Sequence, residues 1–360
     1  MDGILIVDKP AGPTSHDIVA LVRRLAATKR VGHGGTLDPF ASGVLPIFLG
    51  RATRMLEYHL GDPKSYRATV CFGTSSTTDD LEGELTPAEG PAPDRATVEA
   101  ALEAFRGPIV QVPPAYSAVK VAGRRAYALA RAGEVPALAP RSVTIHRLEL
   151  VAWNDTDPAR PLAVVEVDCS AGTYVRALAR DLGRHVGSGA YLGGLVRTAS
   201  GPFRLADAHS LESVRAAAAA GRDGFRPLLL RPDAGLEALP ALTLAPAELE
   251  AIGQGRFVRP AAGLPAAAPG ARLRLLDCEG RLAAIAVIHD GRLAPEKVFV
   301  EPTAARSADT TRSGVGDEVS AAHQAEDVTV EEDALVEAAL LAERDPEPTL
   351  DPDPASPDDA

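Results

Sequence analysis

The sequence predicts a mixed fold over residues 1–237 in which strands and helices alternate, then a small β-rich module over 238–302 and an acidic tail over 303–360. Three observations predict it. Short apolar runs bounded by Gly, Pro or Asp alternate with stretches whose apolar residues recur at helical spacing. Pro and Gly become frequent after 238, around two strand-like runs joined by a turn. Beyond 302 the chain is acidic and poor in aromatics, a composition that cannot bury enough apolar surface to order itself, so disorder is expected there. At 360 residues there is room for one large domain, one small domain and a sizeable core.

The net charge of −12 argues at first against a polyanionic partner, but the charge is unevenly spread. Residues 303–360 hold 16 acidic residues against Arg306, Arg312 and Arg344, a net of −13. Residues 1–302 carry 34 basic and 33 acidic residues, so the folded part is free to present a basic face. Cys71, Cys169 and Cys278 lie far apart, with no CxxC pair. That spacing reads as reduced cytosolic thiols, with neither a disulfide frame nor a zinc site, and a cytoplasmic protein is expected. Asp2 and Asp8 near the start exclude a basic signal-peptide n-region, and no apolar run is long enough to span a membrane.

Gly3-Ile4-Leu5-Ile6-Val7 is a compact apolar strand ending in Asp8-Lys9-Pro10. Ile18, Val19, Leu21, Val22 and Leu25 then share one face of a helix, with Thr14 and Asp17 as a capping-box variant at its start. Arg23, Arg24, Lys29 and Arg30 gather at its far end, where cations suit the helix dipole. The glycine-rich loop 32–39 leads into the buried strand Val44-Leu45-Pro46-Ile47-Phe48-Leu49. Residues 52–58 read as a short helix, and 64–72 as a strand with Tyr66, Ala68 and Val70 on one face. The polar stretch 74–83, with Asp79, Asp80 and Glu82, is a loop, and 97–105 a helix.

Residues 106–147 carry Arg106, Lys120, Arg124, Arg125, Arg131, Arg141 and Arg147 against a single acid, Glu134. Basic residues interleaved with Tyr116 and Tyr127 suit a nucleic-acid-binding loop, although a solvated face has the same composition. A strand over 162–170 turns through Gly172 into a helix bearing Leu178, Leu182 and Val186 on one face. Residues 204–237 are helical in pattern, with an alanine run at 216–220. In the last module, strands over 272–276 and 282–288 flank the turn 277–280. Thr329 with Glu332 would cap a short helix reaching Arg344 inside the tail.

The loop 32–39 carries the chemistry. Gly32, Gly34 and Gly35 suit positive φ or close approach of a ligand to the main chain, and Pro39 biases Asp38 towards an extended conformation. A carboxylate at the end of a buried strand is rigidly supported, as a positioned nucleophile or base must be. Taken alone, Asp38-Pro39 is equally a turn dipeptide.

Gly32-His33-Gly34-Gly35-Thr36-Leu37-Asp38-Pro39 followed by Ala41-Ser42-Gly43-Val44-Leu45-Pro46 resembles the catalytic motif of the TruB family of tRNA pseudouridine synthases, with Gly34 where the family usually has Thr. Further segments resemble that family in its order: Lys9-Pro10, Lys64-Ser65-Tyr66, Thr74 to Gly83, Pro113 to Tyr127, Cys169 to Arg176, and Leu195-Val196-Arg197-Thr198. The resemblance implies an α+β pseudouridine synthase fold, a mixed and largely antiparallel sheet flanked by helices with the active cleft across its middle. The 1–237 region would be catalytic, its insertion at about 106–147 clamping a tRNA arm, and 238–302 a PUA-like RNA-binding domain.

It also implies roles. Asp38 is the nucleophile, Arg176 its partner, and Tyr66 stacks on the target base and is a candidate to shuttle the C5 proton. His33, Tyr174 and Leu195 complete the pocket, while Lys120, Arg124, Arg125 and Arg197 face RNA. An opposite charge nearby lowers a carboxylate pKa, so Arg176 is expected to keep Asp38 ionised. The substrate implied is tRNA, at the uridine of the TΨC loop, taken by a stand-alone monomer without guide RNA, membrane, metal or cofactor. Attack at ribose C1′ and attack at uracil C6 both fit a carboxylate nucleophile. Two rival functions are a tRNA-binding or folding module whose catalysis is dispensable, and a nucleoside glycosidase using the same carboxylate.

Overall fold

The computed structural model describes residues 1–300 except 118, 122, 123, 135, 136 and 267, with no side-chain description at 120, 125, 128 and 131. The acidic tail, with the capped helix expected in it, lies outside the described residues. No described helix is long and apolar enough to cross a membrane.

The elements run β1 (Gly3–Lys9), α1 (Ser15–Leu25), β2 (Val31–His33), β3 (Ser42–Leu49), α2 (Leu56–His59), β4 (Lys64–Phe72), β5 (Thr74–Ser76), β6 (Leu85–Pro87), α3 (Arg95–Ala101) and β7 (Gly107–Gln111). Then come β8 (Lys120–Val121), β9 (Arg124–Arg125), α4 (Ala126–Arg131), β10 (Arg141–Asn154), β11 (Leu162–Cys169), α5 (Val175–His185) and β12 (Ala190–Ser200). The remainder is β13 (Phe203–Arg204), β14 (His209–Ser210), α6 (Leu211–Ala219), α7 (Gly221–Phe225), β15 (Leu229–Leu230), β16 (Ala241–Thr243), α8 (Pro246–Gly253), β17 (Arg272–Leu276), β18 (Leu282–His289) and β19 (Arg292–Val298).

The main sheet has the order β14-β1-β3-β12-β4-β11-β10-β7, with β2, β13 and β15 paired at its side. Most pairs are antiparallel; β1 with β14 and β3 with β12 are parallel. This is the α+β fold expected. Its centre is the junction of β3, β12 and β4, where Arg197 stands opposite both Gly43 and Tyr66.

Local sequence explains much of the framework. Thr14 and Asp17 form both halves of the capping box, the Asp17 carboxylate accepting from the Thr14 N–H at 2.7 Å. On β4, residues 64, 68, 70 and 72 are buried while Arg67 is exposed, the alternation of a strand with one face in the core. Against that face pack Val98 of α3, Leu102 just after it, and Val175, Leu178 and Leu182 of α5. Each such side chain, fully buried, contributes roughly 1.5–3 kcal/mol.

Two stretches differ from expectation. Of the helix expected over 52–58, residues 52–55 belong instead to a 3-10 turn, Gly50–Met55, that precedes α2. Gly50 has φ +60° and the Thr53 hydroxyl donates to its carbonyl at 2.8 Å, which tightens the turn. Helix in 204–237 is confined to α6, α7 and short 3-10 turns, because Gly221 (φ +78°) and Pro227 interrupt the pattern.

The small sheet, order β16-β17-β18-β19, has its own core of Leu273, Leu275, Ala284, Ala286 and Leu293. It also shares a core with the large sheet: Leu282, Ile285 and Phe299 pack with Ile4, Phe48 and Met55. Arg54 donates to the Val298 carbonyl at 2.6 Å and Lys297 pairs with Glu57 at 3.1 Å. The module is therefore docked against β1, β3 and α2.

Candidate active site

The loop bearing Asp38 is held from several directions. Lys9, at the end of β1, is fully buried, and its ammonium donates to the carbonyls of Pro10 (2.8 Å), Pro39 (3.1 Å) and Ala41 (2.7 Å). The Ser15 hydroxyl, in the first turn of α1, accepts from the Leu37 N–H at 2.8 Å and donates to the Leu37 carbonyl at 3.0 Å. The Ala41 N–H closes a turn onto the Asp38 carbonyl at 3.1 Å. Gly43 has φ +100° and a side chain there would overlap the Arg197 carbonyl, so only glycine lets β3 and β12 approach this closely.

Arg176, in the first turn of α5, reaches this loop although it is only 6% exposed. Its Nε lies 3.0 Å from Asp38 Oδ2, an ion-pair contact without hydrogen-bond alignment, and Nη2 donates to Asp38 Oδ1 at 3.3 Å. Nη1 donates to Asp80 Oδ2 at 2.9 Å and Nη2 also to the Tyr116 carbonyl at 2.9 Å. One guanidinium thus bridges two carboxylates. Beside it, Arg180 donates to Asp79 (2.7 Å), Asp181 (2.9 Å) and the Val112 carbonyl (2.9 Å), tying α5 to the 74–83 loop and the edge of the sheet.

Arg176 acts on Asp38 in the expected direction but does not set the net outcome. Burial pushes the Asp38 carboxyl above its ordinary value; Arg176 and Lys9 oppose the rise, and the Asp80 charge adds to it. A guanidinium already engaged by a second acid offsets only part of the desolvation cost. Asp38 is consequently a more basic carboxylate than a surface one. A carboxylate held part-desolvated, with a cation at hand for the charge it loses or gains, is equipped for nucleophilic or general-base work.

Tyr66 is half-buried on β4, and the Asp38 charge reaches it. Burial pushes its phenol up, and the charge of the Arg197 guanidinium beside it pulls it down. Leu195 is buried two residues before Arg197 on β12, in the same cluster as Leu37 and Ala41. His33 ends β2; its Nδ1 accepts from the Gly35 N–H at 3.4 Å, and His16 meets its ring edge-on at 5.4 Å between centroids. Burial pushes His33 below the usual imidazole range. Tyr174 occupies the N-cap position of α5, its backbone bound both ways by the Gln111 side chain (2.8 and 3.0 Å), with the Arg141 guanidinium 5.6 Å over its ring.

Arg197 is a correction. Expected to face RNA, it is 1% exposed and its guanidinium donates to the carbonyls of Val44 (2.7 Å), Thr36 (3.3 Å) and Gly35 (3.1 Å). Alternation along β12 turns it inward with Leu195. Arg124 is exposed as expected and pairs with Glu134 at 3.1 Å, a surface bridge. The side chains of Lys120 and Arg125 lie outside the described residues. From sequence, Asp80 stands only in a polar loop and Lys9 at the end of the first strand. The resemblance of 74–83 to a family segment was the one signal for Asp80, and the intrinsic cost of burying its charge shows only in three dimensions.

The described residues superpose on a chain of an H/ACA ribonucleoprotein bound to a substrate RNA containing 2′-deoxyuridine, with a TM-score of 0.62 and 23% identity over 84% of this chain and 86% of that one. At that identity the likeness is one of fold alone; the class, pseudouridylate synthase, comes from the family models. Residues 23–175 match the TruB family pseudouridylate synthase N-terminal domain, 176–232 the tRNA pseudouridylate synthase B C-terminal domain, and 240–299 the pseudouridine synthase II TruB C-terminal region. A tRNA pseudouridine synthase B of Bradyrhizobium diazoefficiens is 43% identical over 300 residues, covering 82% of this chain and 85% of that one. That of Gloeobacter violaceus is 44% identical over 307 residues, covering 84% of this chain and all of its own. The chain belongs to the TruB family of pseudouridylate synthases.

Proposed function

We propose that this enzyme isomerises uridine to pseudouridine at position 55, in the TΨC loop of tRNA, acting as a monomer in the cytoplasm without guide RNA. The observation that carries the reading is the Asp38–Arg176–Asp80 bridge beside Tyr66. Asp38 is the nucleophile that opens the path to cleavage of the N1–C1′ bond; the uracil turns and rejoins through C5. The reaction is an isomerisation, so no redox partner or energy donor is consumed. A uridine in a folded loop must first be flipped out, at a cost of roughly a few kcal/mol. Stacking on Tyr66 returns about 1–3 kcal/mol of it. His33, in the same loop as Asp38, contacts the nucleotide as it leaves the stack, and Tyr174 and Leu195 close the pocket. Lys120, Arg124 and Arg125, in the basic 106–147 insertion, meet the phosphates of the arm.

Incubation with an unmodified T-arm stem-loop, followed by mapping of pseudouridine and mass spectrometry, tests the proposal. Pseudouridine at the single loop position with unchanged RNA mass is expected. Free uracil would show a glycosidase, and tight binding with no product would leave only an RNA-binding module.

A further inference from the structure

Arg197 heads the largest fully buried side chains among the described residues, yet no carboxylate pairs with it there. Three of its N–H groups are spent on carbonyls of the nucleophile's own segment: Gly35, Thr36 and Val44. Its guanidinium also lies beside the Tyr66 phenol: the two residues are register partners across β12 and β4, so their side chains share one face of the sheet. A buried cation facing only dipoles is poorly compensated, and becomes well compensated the moment an anion forms beside it. Of the described groups beside it, only the Tyr66 oxygen can become one.

We infer that Arg197 is a positioning residue for removal of the uracil C5 proton: it fixes the Tyr66 oxygen relative to the Asp38 loop and balances the negative charge on that oxygen. This rests on the isomerisation proposed above. In the step, the C5–H bond of the C5-linked uracil breaks and the proton passes to the Tyr66 phenolate oxygen. The C–H electron pair forms the C5–C6 double bond, and the electrons of the N1–C6 double bond move onto N1. N1 then takes a proton from the phenol, so the phenolate is regenerated and no proton is gained or lost.

The surroundings leave this cation as the one able to serve. Tyr66 is faced by Arg197, Asp38 and Cys169; Asp38 disfavours the phenolate, and burial pushes the Cys169 thiol up to about 11, so it is neutral. Arg197 is faced in turn by His33, pushed down by burial, and by Lys64, whose ammonium donates to the Asp62 carbonyl at 2.8 Å.

The test is single-turnover conversion of a T-arm stem-loop carrying 5-deuterated or ordinary uridine, across pH. Wild type, Arg197→Met and Arg197→Lys are compared, each with and without Tyr66→Phe, after circular dichroism has verified folding. Arg197→Met should slow conversion by about 10²–10⁴-fold, the range of a positioned general base. It should also expose a hydrogen–deuterium isotope effect, move the alkaline activation to higher pH, and cost little more when combined with Tyr66→Phe. Arg197→Lys, which keeps the charge, should recover part of the rate. An unchanged isotope effect and pH limb, with losses that multiply with Tyr66→Phe, would make Arg197 a loop strut only and overturn the inference. If Arg197→Met does not fold, the same readouts on Arg197→Lys decide: an intermediate shift supports it and none overturns it. Absence of pseudouridine with the wild-type chain, by contrast, sinks the underlying reading.

Discussion

Replacing Asp80 with Asn separates the two acids that share Arg176. The Asp80 side chain is 2% exposed, and its oxygens divide their work. Oδ1 takes the Thr78 hydroxyl and the Glu82 N–H (3.0 Å), while Oδ2 takes Arg176 Nη1 at 2.9 Å. An Asn amide that keeps the first two bonds must point its NH₂ at the guanidinium, setting donor against donor. A hydrogen bond to a charged group is worth about 1.5–3 kcal/mol, and Arg176 retains Asp38 as counter-ion, so a loss of about 2 kcal/mol is expected. The effect on Asp38 has the opposite sense. The Asp80 charge helps to hold the Asp38 carboxyl above its ordinary value, and its removal also leaves Arg176 to Asp38 alone. Both changes favour the carboxylate. Urea unfolding measures the stability, and single-turnover rates across pH locate the acid limb, which should move to lower pH. An acid limb that moves up, or stays put while stability drops as expected, would refute electrostatic sharing of Arg176.

Three further outcomes follow from the same geometry. Asp38→Asn should abolish pseudouridine formation while leaving the tRNA dissociation constant unchanged. Because the folded Asp38 pKa is raised, its stabilising contribution is full below the unfolded pKa and lost as pH rises through the folded value. The variant should therefore raise the urea midpoint at pH 7, with the gain shrinking on acidification; a lowered midpoint at pH 7 would contradict this. Ser15→Ala strips the buried Leu37 N–H of its acceptor and should cost about 1–3 kcal/mol in urea unfolding, with a change under about 0.5 kcal/mol counting against Ser15 as a clamp of the loop. Gly43→Ala forces a side chain into positive φ against the Arg197 carbonyl and should cost about 3 kcal/mol or more, read as the loss in thermal or urea stability.

The chain by itself determined whatever rests on neighbours in sequence. The Thr14–Asp17 cap, the strands at 3–9 and 64–72, the turn into α5 and the motif around Asp38 are all short-range patterns, and the structure follows them. Even the meeting of Asp38 with Arg176, 138 residues apart, was legible through a resemblance that carries spatial information in its motifs. Tertiary structure alone decided the rest. Asp80 joins Arg176 across 96 residues, from a loop whose charge pattern looks like any solvated turn. Arg197 faces inward because the Asp38 loop packs over its side of β12 and takes its N–H groups; a period of two offers two faces, and only what packs over each says which is buried. The direction of the Asp38 pKa was equally out of reach of sequence, since it is the difference between a desolvation cost and an attraction divided between two acids. Both quantities are set by what surrounds the carboxyl in space.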